Sequence, residues 1–553
     1  MTLRHRVHRI LYVPLDDRPV NLAMPVMLAG IVDYEMAVPP RELLGSFHTP
    51  GQPEALAEWL LSQNEGQDCL ILSLDMLLYG GLVASRQPDT LPEVARRRLG
   101  LLPALREKFP EAAIYASSIL SRLDFSMSPE DRLRYGDAFY RYTRLGGAAQ
   151  HRAETRQLLA SLPESLVENY RQVRRRNHEL NGAAVDAVAR GHLDFLLLGQ
   201  DDADATGFHV AEQRALRAQI RREKLSDRVV TCAGADETAA TLLSRFVHAH
   251  MEAQPQVAVL YLDPEAAEQI APYEDRPFAE NLRAQAEAAG VQLVDDLAGA
   301  DMILAISPPV LEPRQGVKGC PENRLRRKRL AQFAKQVAKL SERRGVAICD
   351  AAFPNGAEEA FVEALKNAGL PWTRLLAFSA WNTAGNSLGT ALAHGAIRLI
   401  GLRDKAAFDL AQLVTSISPM RYFELLNSLL GAEKAHLSLL FTRIVDDWLY
   451  QSRVRPVVKE RLADMVGMSS LDLTEVYPRA EEMVRELLTQ DAVNLWVEEF
   501  MGEGAGTIGP PDQRSGLALA ELQETRVRLP WRRLFEVELE FDLGLELTVF
   551  SKE

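Results

Sequence analysis

The chain has 553 residues, and at this length one hydrophobic core usually gives way to about two to four compact units. Hydrophobic residues make up 47% of the sequence and charged residues 25%, which excludes collagen-like, low-complexity and wholly disordered proteins. The formal net charge of -13 provides no general attraction to nucleic acid or anionic lipid, and four cysteines without a CxxC motif argue against a disulfide framework and a zinc ribbon.

The N-terminal segment is basic, and Pro14, Asp16 and Asp17 interrupt the apolar stretch that follows, so it makes a poor signal peptide. No apolar run approaches the roughly 20 residues that span a bilayer. The basic cluster at residues 171–177 lacks an accompanying series of aromatic residues. We therefore expect a cytoplasmic protein that associates with neither nucleic acid nor membrane.

Short runs rich in valine, isoleucine and leucine recur up to residue 378. The predicted strands are residues 10–15, 69–74, 114–119, 195–198, 229–232, 257–262, 302–306, 346–349 and 375–378. Amphipathic helical stretches, such as residues 92–108 and 211–224, separate them. Apolar strands that alternate with amphipathic helices are typical of a parallel sheet covered on both faces, so we predict an α/β fold.

The predicted strands can be arranged in two ways, as a closed barrel or as open sheets. The number of strands suits a TIM-like (β/α)8 barrel with insertions, which is the preferred prediction. However, residues 291–294 resemble a further strand, and only residues 295–301 separate them from the next one. That short spacing favours the alternative of two open, doubly wound lobes at roughly 1–250 and 251–400.

The pattern changes after residue 400. Residues 405–488 have helical periodicity, residues 501–511 are rich in glycine and proline, and residues 534–550 alternate as in a half-exposed strand. The predicted regions are an α/β catalytic core at 1–400, a helical domain at 401–500, and a linker with a C-terminal β segment at 501–553. The helical region could complete a pocket or form a homodimer interface.

Functional side chains follow almost every predicted strand. Because ligands bind at the carboxyl ends of strands in parallel α/β proteins, these side chains predict one site. An aspartate after a strand is also a common helix N-cap, and Asp16 with Arg18 could be a structural ion pair. Three carboxylates in the five residues from Gln200 to Asp204 exceed what one cap requires. The predicted substrate-binding residues are Asp16, Asp17, Arg18, Asp75, Tyr79, Arg86, Arg122, Asp204, Asp236, Trp381, Asn382 and Asn386.

The adjacent pair Asp201 and Asp202 supplies the predicted chemistry. Alternate residues of an extended segment point to opposite sides, so one carboxyl can have a raised pKa while the other stays ionised. This division of roles predicts a glycoside hydrolase, including a substrate-assisted form that acts on an N-acetylhexosamine. Asp202 is predicted as the general acid/base, and Asp201 as the group that orients and stabilises the acetamido intermediate. The indole ring of Trp381 would lie beneath the ring of a small-molecule sugar substrate.

Two other functions remain open at this point. Asp16, Asp17, Asp201, Asp202 and Asp204 are oxygen ligands that suit Mg²⁺ or Mn²⁺ in a hydrolase or a phosphoryl-transfer enzyme. A two-lobed protein that binds a small molecule without chemistry is the third candidate. The sequence contains no GxGxxG, GxxxxGK[ST], GxSxG or HExxH motif, so we expect no cofactor and assign no metal site.

Four motifs resemble the bacterial DUF4127 family: residues 12–21 (YVPLDDRPVN), 39–45 (PPRELLG), 72–81 (LSLDMLLYGG) and 381–386 (WNTAGN). The resemblance covers residues 10 to about 550 and implies no activity, because the function of that family is unknown. A looser likeness is to barrel-type, substrate-assisted N-acetylhexosaminidases. It rests on an Asp-Asp pair after the fourth strand and a Trp-Asn segment after the last one.

Overall fold

Six parallel strands form the first of the three sheets found in the described part of the chain, in the spatial order β2-β1-β3-β4-β5-β6. The computed structural model describes residues 8–124, 127–146, 149–310, 324–407, 418–466, 473–502, 504–508 and 515–549. The strands are β1 (His8–Val13), β2 (Tyr34–Ala37), β3 (Cys69–Ser73), β4 (Ala113–Leu120), β5 (Phe195–Gln200) and β6 (Val229–Ala233).

Helices cover both faces of this sheet because its strands are apolar on both sides. Leu11 and Val13 pack into one core and Ile10 and Tyr12 into another, as alternation along β1 requires. The helices of this lobe are Ala23–Gly30, Pro53–Ser62, Leu74–Tyr79, Leu82–Ser85, Pro92–Leu99, Leu101–Lys108, Pro129–Leu145, Arg152–Ser161, Glu164–Ala189, Phe208–Arg222 and Thr238–His250.

The second sheet has five parallel strands in the order β11-β10-β9-β7-β8. Its strands are β7 (Gln256–Tyr261), β8 (Gln292–Val294), β9 (Met302–Ser307), β10 (Gly345–Asp350) and β11 (Ala377–Ser379). Its helices are Phe278–Ala289, Arg324–Ser341, Glu359–Asn367 and Ala384–Ala407.

Among the residues that the structure describes, neither sheet closes, so the α/β class is confirmed while the preferred barrel is wrong and the two-lobed alternative is right. The predicted strand at 291–294 is β8, which pairs with β7 at the edge of the sheet. Strand order reverses at the first strand of each lobe, because β1 lies between β2 and β3 and β7 lies between β8 and β9. Such a reversal opens a crevice at the carboxyl ends of the strands, where doubly wound proteins bind ligands.

The lobes meet through the helices Thr238–His250, Phe278–Ala289 and Ala384–Ala407, which pack against one another. Gly385 begins this contact, since a Cβ there would lie 2.2 Å from the carbonyl oxygen of Ala233. Any larger residue would push the second lobe away from the end of β6. The close approach brings residues that follow β11 to the strand ends of the first lobe.

The C-terminal region combines helices with a three-stranded antiparallel sheet. Part of the segment predicted as a linker, residues 504–508, is a strand, while residues 503 and 509–511 lie outside the described residues. Within the described ranges no helix is long and apolar enough to cross a membrane. The elements are the helices Pro419–Ile444, Arg455–Val466 and Tyr477–Glu499, the π-helix Val445–Val454, and the strands β12 (Gly504–Ile508), β13 (Ser515–Arg528) and β14 (Glu538–Val549).

This region packs against the second lobe and shares its core. Phe361 from the lobe and Phe441 and Trp496 from the C-terminal helices belong to one apolar cluster, which Leu543 of β14 joins. The helix Ala384–Ala407 also runs across residue 400. The division into three regions stays a prediction. The second lobe and the C-terminal region share one apolar core across the boundary predicted at residue 400.

Candidate functional site

Arg18 lies at the carboxyl end of β1, and its guanidinium faces three carboxylates. Nε lies 3.0 Å from Asp16 Oδ1, and Nη2 donates to Asp236 Oδ1 at 2.5 Å. Glu536 Oε1 is 3.6 Å from Nη1. Only 4% of Arg18 is exposed, so these carboxylates compensate the burial of its charge. Asp16 and Arg18, predicted from the segment after β1, therefore meet Asp236, predicted from the segment after β6.

Amide side chains from both lobes complete this group. Asn21 Nδ2 donates to Asp16 Oδ1 at 2.8 Å, and Asn382 Nδ2 donates to Asp236 Oδ2 at 3.0 Å. Asn386 Oδ1 accepts the backbone N–H of Asp236 at 3.2 Å. Asn382 has a φ of 67°, a conformation that non-glycine residues adopt at a cost and that is common at functional sites. The second lobe thus brings Asn382 and Asn386 into contact with Asp236, while their role in substrate binding stays a prediction.

Asp75 and Asp201 are two buried carboxyl groups with opposite pKa shifts. Burial raises the pKa of Asp75 to about 7, and the charge of Asp201 adds to the rise. Burial also opposes ionisation of Asp201, but the guanidinium groups of Arg86 and Arg122 outweigh it and lower the pKa. Arg86 Nη2 donates to Asp201 Oδ2 at 2.6 Å. Interacting carboxyls that differ in this way are typical of acid/base sites.

A capping role does not account for Asp75. The side chain of Ser73, rather than that of Asp75, caps the helix Leu74–Tyr79 by accepting the N–H of Met76 at 3.3 Å. Asp75 Oδ2 instead accepts the backbone N–H of Ile119 at 2.8 Å, at the end of β4. The side chain therefore lies between two strand ends of the first sheet.

Asp202 lies at the accessible edge of this group. Its carboxylate accepts a hydrogen bond from Arg122, and the two side chains are 26% and 25% exposed. An ion pair with a guanidinium stabilises the charged form of a carboxyl, whereas a general acid has to hold its proton. This geometry suits substrate binding by Asp202 better than the general-acid role that the sequence predicts for it.

Two predicted residues belong to other surroundings. Asp204 Oδ1 accepts from Arg144 Nη2 at 3.0 Å, and so pairs with the helix Pro129–Leu145. Tyr79 packs in the core of the first lobe beneath the guanidinium of Arg176, which lies 4.5 Å from the ring centroid. The structure gives both residues a packing or pairing role, although Tyr79 lies near Asp75: burial and the charge of Asp75 raise the pKa of Tyr79.

The connection between β13 and β14 supplies residues that the sequence prediction missed. Trp531 Nε1 donates to Asp17 Oδ1 at 2.7 Å, and its ring lies 5.2 Å from the Arg18 guanidinium carbon. Arg533 Nε donates to Glu536 Oε2 at 2.7 Å. This connection covers the side chains that meet at the carboxyl ends of the strands in the first sheet, which we call the strand-end group. The sequence feature that could have predicted these contacts is a segment between two strands that contains tryptophan, arginine and glutamate.

The predicted sugar platform, Trp381, is covered by the same connection. Only 3% of the residue is exposed, and its ring centroid lies 5.7 Å from that of Phe535. In this arrangement neither face of the indole is open to a sugar ring. Trp381 would meet a substrate only after Phe535 moves.

A second buried carboxyl pair, Asp446 and Asp447, supports the loop that follows β11. Asp447 Oδ2 accepts the N–H of Ala380 at 2.6 Å and a hydrogen bond from Arg443 Nη2 at 3.0 Å. Burial and the charge of Asp447 raise the pKa of Asp446. The pair lies on the π-helix Val445–Val454, and π-helical turns are frequent at functional sites. The sequence prediction missed this pair, although two adjacent acidic residues inside an apolar helical stretch could have indicated it.

The metal-ion alternative lacks a preformed ligand set in the described ranges, where no three acidic, histidine or cysteine side chains are placed to hold an ion. The strand-end carboxylates have other partners: Arg18 for Asp16, Trp531 for Asp17 and Arg86 for Asp201. A cation would therefore have to displace guanidinium and indole donors.

The Trp531 contact gives a test of how firmly the connection holds the site. We expect Trp531→Phe to lower the free energy of unfolding by about 1–3 kcal/mol, since it leaves the buried Asp17 carboxylate without its indole donor. The matched control is Trp448→Phe, because Trp448 is also buried but its Nε1 has no hydrogen-bond partner among the described residues. Urea denaturation measures both variants, and equal losses would contradict a specific role for the Asp17 bond.

Comparison with known proteins gives a family but no activity. The carboxyl transferase domain of Rhizobium etli pyruvate carboxylase with 3-bromopyruvate is 12% identical over 90% of this chain, which spans 63% of that domain, with a TM-score of 0.20. The complete multifunctional pyruvate carboxylase from Rhizobium etli is 12% identical over 90% of this chain and 34% of that one, with a TM-score of 0.19. These scores are too low to support an argument, and no curated protein matches. The family of proteins of unknown function DUF4127 matches residues 10–540, nearly the whole sequence, and the chain belongs to that family.

Proposed function

We propose that this protein is a glycoside hydrolase that acts on a small N-acetylhexosamine derivative at the carboxyl ends of the first sheet. Asp75 is the general acid/base and Asp201 is the permanently ionised carboxylate. One observation carries the proposal: two electrostatically coupled carboxyls have pKa values shifted in opposite directions, to about 7 for Asp75 and downwards for Asp201.

The two carboxyls suit the two steps of glycoside cleavage. At neutral pH a carboxyl with a pKa of about 7 is partly protonated and can donate its proton to the leaving-group oxygen. An ionised Asp201 stabilises the positive charge that develops at the anomeric centre, or orients the acetamido group that attacks it. The roles are those predicted for Asp201 and Asp202, with Asp75 as the acid instead of Asp202.

Arg86 and Arg122 indicate which sugars the site would accept. Burial and the charge of Arg86 lower the pKa of Arg122, so the two guanidinium groups lie close enough to repel each other. The Nε–H of each arginine has no acceptor within the described ranges. An acidic substituent on the sugar would accept from both groups and relieve this repulsion. We therefore favour a carboxylate-bearing amino sugar.

A substrate panel tests the proposed activity. We expect the purified protein to hydrolyse at least one aryl N-acetylhexosaminide, with a higher kcat/KM for glycosides whose sugar carries a carboxylate, and to keep this activity in EDTA. Asp201→Asn should lower kcat by roughly 100-fold, because it removes the charge facing the developing cation. The control Asp204→Asn should retain activity, since Asp204 pairs with Arg144 outside the group.

Three outcomes would contradict the proposal. Loss of activity in EDTA would favour the metal-dependent hydrolase. Sugar binding by calorimetry without turnover of any glycoside would favour the two-lobed binding protein, to which the contact of Asn382 with Asp236 across the lobes is suited. Full activity of Asp201→Asn would remove the carboxylate from the mechanism.

A further inference from the structure

A cavity lies beside the helix Phe208–Arg222, and its lining includes none of the strand-end residues. Its volume is about 390 Å³, which is within the range of small-molecule sites. Positive side chains outnumber negative ones around it: the charged residues that line it are Arg214, Arg217, Arg221, Arg276, Asp275 and Glu280.

Three of these arginines form a stripe on one face of the helix. Arg214, Arg217 and Arg221 are spaced by three and four residues, which places their side chains next to one another. None of them forms an ion pair with any residue that the structure describes. Arg222, outside the stripe on the same helix, pairs with Glu223 at 3.1 Å. The stripe therefore concentrates positive charge along the cavity, where Asp275 and Glu280 compensate it only in part.

Arg276 fixes the inner wall of the cavity. Its Nε donates to Asp275 Oδ1 at 2.8 Å and its Nη1 to the carbonyl oxygen of Thr231 at 2.8 Å, and only 5% of the residue is exposed. Arg217 Nη2 donates to Gln213 Oε1 at 3.1 Å. Burial and the charge of Arg276 lower the pKa of Arg217, so an anion between these two groups would relieve their repulsion.

His209 adds an independent sign that a ligand belongs here. The residue lines the cavity and is 0% exposed, and no side chain among the described residues hydrogen-bonds to its ring, whose polar neighbour is the backbone of Asp204. An imidazole has two ring nitrogens, so at least one of them forgoes a hydrogen bond that it would make in water. A ligand oxygen in the cavity would supply that partner.

We propose that this cavity binds the phosphate group of a small molecule, with Arg217, Arg276 and His209 as its donors. A phosphate dianion matches the cavity better than a carboxylate does, because it carries more charge and has oxygens pointing in several directions for converging guanidinium groups. The phosphate is either free inorganic phosphate or part of a phosphorylated sugar.

Isothermal titration calorimetry on the full chain tests this site without requiring enzymatic activity. The probes are inorganic phosphate, glucose 6-phosphate and glucose. We expect both phosphate-bearing probes to bind and glucose not to bind. Arg217→Gln should weaken binding at least tenfold, whereas Arg222→Gln, on the same helix but outside the stripe, should leave it unchanged. His209→Gln should weaken it as well, and thermal melts verify that each variant is folded.

The two phosphate sources give different results in the same experiment. A phosphorylated sugar as the ligand predicts that glucose 6-phosphate binds at least tenfold more tightly than inorganic phosphate. Equal affinities would identify free phosphate. The proposal is overturned if neither probe binds at millimolar concentration, or if folded Arg217→Gln binds as tightly as the unmodified protein.

Discussion

Asp75→Asn is expected to lower kcat by roughly 10²–10⁴-fold towards any glycoside that the protein hydrolyses, the usual contribution of a general acid/base. An asparagine can still accept the backbone N–H of Ile119, so the end of β4 should keep its position. It cannot donate a proton to a leaving group. Steady-state kinetics on the substrates identified by the glycoside panel measures the effect.

The same variant should be more stable than the unmodified protein at alkaline pH. The pKa of Asp75 is about 7 in the folded protein, against 3.8 for an ordinary aspartate. Below pH 4 both states are protonated and the carboxyl costs nothing. As the pH rises to 7 the unfolded chain ionises first, so stability falls, and above pH 7 the cost is complete at roughly 4 kcal/mol or less. Asparagine removes this cost, so the gain should be larger at pH 8 than at pH 5.

Asp202→Asn is the matched control for Asp75→Asn. It also removes one strand-end carboxylate, but from a partly exposed pair with Arg122. We expect a loss of less than tenfold in kcat and a larger effect on KM, as for a group that binds the substrate. A loss in kcat equal to that of Asp75→Asn would instead support the original prediction that Asp202 is the general acid.

Arg18→Met is expected to have the largest effect on stability. The substitution leaves Asp16 and Asp236 buried without their guanidinium partner and removes the cation that faces Glu536. Breaking a buried ion pair from one side typically costs about 3–5 kcal/mol. The free energy of unfolding from urea denaturation measures the loss.

Two further variants separate the effect of charge from that of packing. Arg41→Met removes an arginine that is 44% exposed and pairs with Glu538 at 2.8 Å, and should cost no more than about 1 kcal/mol. Adding Asp236→Asn to Arg18→Met should recover part of the lost stability, because one unpaired carboxylate disappears. A double variant that loses the sum of both single effects would show that Arg18 acts through packing alone.

Sequence patterns predict well that this fold is α/β, but they predict poorly whether its parallel strands close into a barrel. The apolar runs that become β3 and β9 are buried at every position and hydrophobic at all but the last, and only strands covered on both faces require this. Whether such strands close into a barrel depends on strand order and tilt, which hydrophobicity does not encode. The short segment between β8 and β9 was the one local feature that distinguished the two solutions.

In the candidate site, the sequence likewise predicts which residues follow strands, but it does not predict contacts between residues far apart in the chain. Asp16, Asp75, Asp201 and Asp236 follow strands, so topology brings them to one edge of the sheet as predicted. Which carboxyl has the raised pKa depends on the arginines that reach it. Arg86 reaches Asp201 from 115 residues away, and Trp531 reaches Asp17 from 514 residues away. No periodicity in one sequence reveals such pairings.

The protonation state of Asp75 tests the central claim most directly, because it requires no substrate. Difference infrared spectroscopy of the carboxyl band, with the Asp75→Asn spectrum subtracted at each pH, isolates the titration of this one group. A midpoint near pH 7 is the predicted result, since burial beside Asp201 keeps the carboxyl protonated far above its ordinary range. A midpoint near pH 4 would show that Asp75 is ionised at neutral pH, and would contradict its role as the general acid.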